Sequence, residues 1–318
     1  MNRDLLLTGI GELVTNGPGA PGSLGVVHDA AVAVRDGRVA WAGPAADLPA
    51  AQRGPEPFDV QGRAVVPGFV DAHTHLVFAG DRAEEFTRRL RGESYEAIIA
   101  SGGGIHSTVT ATRAASFDEL VVAGRERAMR LLRQGTTTVE VKSGYGLDTE
   151  TEVRMLEAAR AVGERTPIDV VLTYLGAHVV PRDIDRGDYL DLVTGEMLDA
   201  CVPLARYCDV FCDRGAFTVD EARRVLLAGL EGGLRPRIHA EQLAHTGAAR
   251  LAAEMGAASA DHLDHATPED AVALREAGVV AVLLPAASFS LGAAQAPARM
   301  LWDAGVTVAL APDCNPGT

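Results

Sequence analysis

The sequence predicts an α/β protein: a (β/α)8 TIM-type barrel with a small β-rich satellite at its N-terminus. Three observations predict it. From about Pro67, short apolar runs alternate regularly with amphipathic helical stretches, the pattern of parallel βαβ units. Eight such runs can be counted. Of the nine histidines, His73, His75, His178, His239 and His262 fall at or just past the C-terminal ends of those runs, the rim where barrels of this kind build their sites.

Residues 1–66 read as strands and turns. LLLTGI, AVAVRDGRVAWAG and FDVQGRAVVPG alternate apolar and polar side chains, and Asp36-Gly37 is a hairpin turn signal. This segment is short for a packed domain and reads as the N-terminal part of a β-sandwich. Residues 67–318 read as the barrel. Its expected strands are 68–73, 136–142, 169–178, 209–213, 235–241, 257–262, 279–285 and 306–313, with helices such as FDELVVAGRERAMRLLRQG, TETEVRMLEAARAVG, TVDEARRVLLAGLEGG and TPEDAVALREAG between them. Thr267-Pro268-Glu269-Asp270 has the cap, first-turn proline and early acids of a helix start. Gly135, Gly163, Gly232 and Gly278 are expected to close helices ahead of the next strand. The sequence stops directly after the eighth strand and leaves no residues for an eighth helix, so a piece of a longer protein is expected.

At 318 residues the chain can bury a large core, and 47% hydrophobic with 23% charged residues is ordinary for a globular enzyme. A net charge of −14, spread along the chain, repels phosphate backbones and anionic membranes, which argues against nucleic acid as a partner. No apolar run approaches a membrane span, and the N-terminus lacks a signal-peptide pattern, so a cytoplasmic location is expected. Cys201, Cys208, Cys212 and Cys314 form no CxxC pair and are expected to be reduced thiols, mostly buried.

Asp71-Ala72-His73-Thr74-His75 is the strongest local signal, because residues i and i+2 of a strand face the same side and two imidazoles can converge on one ion. An isolated HxH more often marks two packed histidines. Here His239 offers a third nitrogen from strand five and Asp313 an oxygen from strand eight, and four matching strand ends favour a metal. A nitrogen-rich site with one carboxylate suits Zn²⁺, with Fe²⁺ or Fe³⁺ as the substitute. Such an ion acidifies a water and polarises a scissile carbonyl. His262, in SADHLDH, could serve a second metal or orient the water; DVFCDRG, at strand four, carries no bridging lysine, which favours one ion per chain. His28, His106, His245 and His265 are expected to lie outside the chemistry.

These residues resemble the amidohydrolase superfamily, which pairs VxPGFVDxHxH on its first strand with later histidines and a strand-eight aspartate. The narrower motifs HTHLVFAGDRAEEF, SGGGIHSTVTATR, VEVKSGYGL, TYLGAHVVP, HAEQ, SADHLDH and PDCNPGT extend the resemblance over essentially all 318 residues. They resemble in particular a member that opens the cyclic amide of 4-imidazolone-5-propanoate to N-formimidoyl-L-glutamate in histidine degradation.

The resemblance implies metal ligands at His73, His75, His239 and Asp313, and substrate contacts at Arg82, Tyr145, His178, Gln242, Asn315, Gly317 and Thr318. Arg82 is a fork suited to a propionate carboxylate. Some relatives carry an acid where Gln242 stands, and an amide cannot titrate. Proton transfer is therefore expected from Asp313, with His262 aligning the water; Glu241 is the weaker candidate, its alternative role being support of the barrel rim. The expected partner is a small-molecule substrate, and a homodimer is the assembly the resemblance allows. The alternatives are a related amidohydrolase that deaminates or hydrolyses another heterocycle, and an inactive fragment.

Overall fold

A computed structural model describes residues 4–17, 24–54, 56–93 and 103–317. The chain divides into two compact units, Met1–Phe69 and Val70–Thr318.

The first unit is a single five-stranded sheet of β1 (Leu5–Val14), β2 (Val26–Arg35), β3 (Arg38–Pro44), β4 (Pro57–Asp59) and β5 (Ala64–Val65). The path runs β3-β2-β1-β4, with β5 also on β1. Asp36 and Gly37 both take positive φ (49° and 73°), the two-residue turn that joins β2 to β3 and matches the twist of a hairpin. Ile10, Leu13, Ala30 and Val32 form its small core. The second sheet layer of a sandwich is not among the described residues.

The second unit is built on eight parallel strands in sequence order: β6 (Phe69–Asp71), β7 (Thr136–Lys142), β8 (Asp169–Ala177), β9 (Tyr207–Cys212), β10 (Arg235–Ala240), β11 (Ser259–His262), β12 (Val280–Leu283) and β13 (Val308–Leu310). Thr74 bridges Cys314, and the His75 N–H donates to the Cys314 carbonyl at 2.9 Å. The chain just past the first strand thereby meets the chain just past the eighth, and the sheet nearly closes into the barrel that the alternating pattern predicted. Regular strand one ends at Asp71, so His73 and His75 sit just beyond it rather than inside it.

The helices are α1 (Ala83–Leu90), α2 (Ile105–Ala114), α3 (Phe117–Arg133), α4 (Thr149–Glu164), α5 (Arg186–Thr194), α6 (Glu196–Cys201), α7 (Val219–Glu231), α8 (Ala248–Glu254), α9 (Pro268–Ala277), α10 (Pro285–Leu291) and α11 (Ala298–Asp303). Helix α9 starts as the sequence indicated, with Thr267 capping Asp270 and Pro268 in the first turn. It ends on Gly278 in the left-handed conformation. Gly163 does not end its helix: α4 runs through it to Glu164. Gly232 caps α7 in a right-handed conformation, and the positive φ falls on Gly233 instead. The helices' apolar faces and the strands share one core that includes Leu120, Met155, Leu156, Tyr174 and Ile238, all buried. All four cysteines are free, and three of them are buried. No described helix is long and apolar enough to cross a membrane.

Candidate metal centre

Strand alternation points Glu140 and Lys142 of β7 to one face, and Arg237 and His239 of β10 to one face. Asp209 of β9 and Asp261 of β11 join them, and all six are buried. Lys142 Nζ donates to Asp209 Oδ2 at 2.7 Å and to Glu140 Oε1 at 3.0 Å. Arg237 Nη2 donates to Asp261 Oδ2 at 2.9 Å and to the Ala72 carbonyl at 2.7 Å. These groups make a charged layer inside the barrel in which each ion faces an opposite one.

The histidines stand on this layer. His73 Nδ1 lies 2.6 Å from Asp261 Oδ2, and His239 Nδ1 lies 3.2 Å from Asp209 Oδ1. A carboxylate at these distances accepts, so each Nδ1 carries the proton and each Nε2 presents its lone pair to the centre. Neither Nε2 has a hydrogen-bond partner among the described residues, although both are buried. Such orphans are costly unless something else meets them. His73 Nε2 and His75 Nε2 each lie 3.7 Å from Asp313 Oδ1.

Ligand atoms of His73, His75 and Asp313 fall within 4.8 Å of one another, as do those of His73, His239 and His262. The two groups share His73 and form one nest of imidazoles and a carboxylate, a donor set that fits a divalent ion such as zinc or iron. Burial and neighbouring charges hold His73, His75 and His262 well below the ordinary imidazole range, so these rings stay neutral and able to ligate near neutral pH. Burial pushes the Asp313 carboxyl up to about 6, although an Asn315 hydrogen bond acts against it.

The rim backbone is unusual where the site sits. Glu241, His262, Leu263 and Asp313 all take positive φ at or just past strand ends. Non-glycine residues adopt that region at a cost and concentrate there at functional sites.

Tyr145 and His178 form one wall. His178 stacks on His75 with ring centres 5.1 Å apart and planes at 17°, while Tyr145 lies 5.5 Å from His75 and 5.3 Å from His178. His178 Nδ1 donates to the Gly144 carbonyl at 2.8 Å. Burial holds its ring down to about 3, so the ring is neutral and Nε2 is an acceptor. Only glycine fits at 144: φ is +104°, and a Cβ would lie 2.9 Å from both His178 Nδ1 and the Leu175 carbonyl oxygen.

Arg82 is half-buried and donates from Nε to Thr108 Oγ1 at 2.9 Å. Its Nη1 lies beside Gly317, where a Cβ would approach it to 3.0 Å. Asn315 Nδ2 donates to the Asp313 carbonyl at 2.9 Å, and the Gly317 N–H donates to Asn315 Oδ1 at 2.7 Å. The structure therefore brings Arg82, Asn315 and Gly317 together. Thr318 lies outside the described residues. The Gln242 N–H donates to Asp213 Oδ2 at 2.7 Å, which fixes its backbone at the rim.

Glu241 turns its carboxylate to the loop that follows it. Its carboxylate accepts from the N–H groups of Thr246, Gly247 (3.0 Å) and Ala249 (3.1 Å), pinning the loop into α8. Both oxygens are committed to the backbone, an arrangement suited to supporting the rim. The nearby set of Glu241, His245 and Asp270 is likewise closed on itself, with Asp270 accepting from His245, Arg250 and Thr267.

Sequence reasoning missed the charged layer. Strand four carries no lysine, yet Lys142 of strand two reaches Asp209 of strand four through the barrel interior. The available signals were Arg237 two residues before His239, and Asp261 directly before His262.

The fold and the site together define a hydrolase of the metal-dependent amidohydrolase type. Solved structures with this fold include guanine deaminase from C. acetobutylicum (TM-score 0.66, 15% identity, 99% of this chain and 75% of that one) and a zinc-bound adenosine deaminase from Xanthomonas campestris (TM-score 0.63, 21% identity, 99% and 70%). A triazine hydrolase variant matches at TM-score 0.74 with 16% identity, over 99% of this chain and 72% of that one. No family model matches the chain. Among curated proteins, imidazolonepropionases of Mycolicibacterium smegmatis and Streptomyces coelicolor are each 51% identical to it, over 99% and 100% of this chain and 76% and 79% of their own lengths. That of Salinispora arenicola is 52% identical over 99% of this chain and 78% of its own length. The chain belongs to the imidazolonepropionase family.

Proposed function

We propose that this chain hydrolyses the cyclic amide of 4-imidazolone-5-propanoate to N-formimidoyl-L-glutamate, a cytoplasmic step of histidine degradation. It does so with one zinc or iron ion held by His73, His75, His239 and Asp313. The observation that carries the reading is the nest of buried imidazole nitrogens with orphaned Nε2 atoms around Asp313. Membership of a family of imidazolonepropionases supports the choice of substrate.

When bound, the ion acidifies a water and polarises the ring carbonyl. The chain's own groups do the rest. Asp313 accepts the water's proton as the water oxygen bonds to the carbonyl carbon. The ring C–N bond then breaks, and Asp313 returns that proton to the departing nitrogen. His262, neutral and buried beside His73 and His239, aligns the water and stabilises the developing charge. His178 Nε2 accepts from a ring N–H of the substrate, and Tyr145 packs beside it. Arg82 pairs with the propionate carboxylate, with Asn315 and Gly317 beside it, and Gln242 contacts the ring. Glu241 holds the loop into α8.

Arg82 separates this reading from a deaminase of neutral bases, which has no anion to hold. Arg82→Ala should raise KM for imidazolone propionate about tenfold or more, through loss of a charge-assisted pair. Turnover assays on that substrate and on guanine or adenosine test the assignment. An unchanged KM, or faster turnover of a neutral base, would overturn it.

A further inference from the structure

Between β7 and α4 the chain makes a loop, Ser143–Asp148, that carries Tyr145 and accepts the His178 Nδ1–H. Part of its backbone is left-handed, with φ of 104° at Gly144 and 56° at Leu147, and three of its N–H groups bond to a side-chain carboxylate rather than to backbone carbonyls. Two side chains that the proposed chemistry does not use take up its polar groups. Glu152, fully buried in the first turn of α4, accepts from Gly144 N at 2.8 Å on one oxygen, and from Gly146 N at 2.7 Å and Leu147 N at 2.8 Å on the other. Arg113, at the end of α2, donates from Nε to the Gly146 carbonyl at 2.7 Å and from Nη2 to the Leu147 carbonyl at 3.1 Å. It also pairs with Asp148 at 2.8 Å, while Arg154 Nη2 holds the Arg113 carbonyl at 3.0 Å.

We propose that Glu152 and Arg113 are positioning residues that set the Tyr145–His178 wall of the substrate site by gripping its loop, one by its N–H groups and the other by its carbonyls. The proposal rests on the reading of Tyr145 and His178 as substrate contacts. Its logic is geometric. The Gly144 carbonyl is the acceptor that fixes the His178 tautomer, and Gly144 N is bonded to Glu152 within the same residue. A shift of that residue would move the acceptor and release the imidazole whose Nε2 faces the substrate. Three backbone N–H groups and the Ser143 side chain converging on one buried carboxylate leave no slack, because replacing an oxygen by an amide NH2 sets donor against donor. A Cβ at Gly146 would lie 2.7 Å from Glu152 N, so the loop packs directly on the helix that carries its clamp.

The test compares Glu152→Gln, Glu152→Asp and Arg113→Lys with the wild-type chain, all loaded with zinc. The Gln variant should exchange the amide protons of Gly144, Gly146 and Leu147 about 100-fold faster, with Val139–Val141 and the zinc stoichiometry unchanged. The Nδ1–H signal of His178 in nitrogen-15 spectra should be lost or averaged. KM for imidazolone propionate should rise about tenfold, with kcat changed less than about threefold. Glu152→Asp should recover part of each change. A support role confined to folding predicts a smaller zinc-loaded fraction, with KM and the His178 signal as in wild type, and that result overturns the proposal. Unchanged exchange in the loop overturns it as well. If Glu152→Gln does not fold, Glu152→Asp and Arg113→Lys carry the same readouts. Should the wild-type chain show no turnover of this substrate, the proposed function fails, while the exchange and His178 signals still decide the grip.

Discussion

Two layers of the barrel interior hold buried polar groups, and they are built differently. In the lower layer Glu140, Lys142, Asp209, Arg237 and Asp261 are ions, and each has an oppositely charged neighbour within the protein. In the upper layer His73, His75 and His262 are neutral rings beside His239, and the Nε2 atoms of His73 and His239 lack partners among the described residues. A buried layer that satisfies itself is scaffold. A buried layer with orphaned lone pairs turned toward one point is a receptor for something that arrives later. The hydrogen bonds from His73 to Asp261 and from His239 to Asp209 join the layers, so the scaffold fixes which nitrogen each ring presents.

The sharpest way to break the comparison is to delete an upper-layer ring. His239→Ala should reduce bound zinc from about one per chain to a trace, and turnover of imidazolone propionate by at least ~10³-fold, since it removes a ligand and with it the ion's chemistry. The fold should survive, because no charge of the lower layer is stranded. Metal analysis and a denaturant melt on the same sample would check both halves. A loaded, active variant would show that His239 is not a ligand.

Deleting a lower-layer ion should do the opposite. Lys142→Met strands Asp209 and Glu140, and removing one partner of a buried pair costs about 3–5 kcal/mol. The expected signature is a lower denaturant midpoint with the zinc still bound under native conditions. If Lys142→Met were as stable as wild type, the lower layer would not be the scaffold described above.

The contrast also explains how much the sequence could reveal. The strand–helix alternation and the HxH motif were legible because both are local: one is a period, the other a spacing. The Asp36-Gly37 turn and the start of α9 were legible for the same reason, each being dictated by backbone conformation within about four residues. The lower layer was not. A charged residue at alternate strand positions looks the same whether it faces water or the barrel axis, and only closure of the sheet turns Lys142 toward Asp209, 67 residues away in sequence. Glu241 was ambiguous in the sequence for a related reason. It adjoins a candidate ligand in sequence, but its carboxylate turns to the amides of the following loop. Gly163 misled because glycine has a use inside a helix as well as at its end: a Cβ there would press on the Val170 side chain at 3.2 Å, so the missing side chain lets α4 pack close to β8.

The link between layers should show an intermediate effect. Asp261→Asn keeps the shape but weakens the acceptor that holds the His73 Nδ1–H and leaves Arg237 without its carboxylate. Groups behind a ligand are worth about 10–100-fold in metal affinity. Competition with a chelator should show zinc affinity lowered within that range, with the number of sites unchanged. Affinity equal to wild type would mean that the His73 tautomer is set by something other than Asp261.

The smallest effect, and the one that separates the layers within a single protein, comes from acid. The same residue type is shifted in opposite directions: Lys142 and His239 hold Asp209 below the ordinary carboxylate range despite its burial, whereas burial pushes Asp313 up to about 6. As pH falls from about 7.5 to about 5.5, Asp313 gains a proton while Asp209 stays ionised. The rings of His73, His75 and His262, held well below 6.5, do not yet charge. A raised carboxyl favours the protonated form in the fold, so this titration takes nothing from the stability of the metal-free chain. It removes a ligand, and zinc affinity should drop by up to about tenfold per pH unit below about 6. Chelator competition at several pH values, beside melts of the metal-free chain, should show affinity falling while the melting midpoint holds or rises slightly. A midpoint that collapsed together with affinity would mean that the lower layer titrates too, and that the two layers are one.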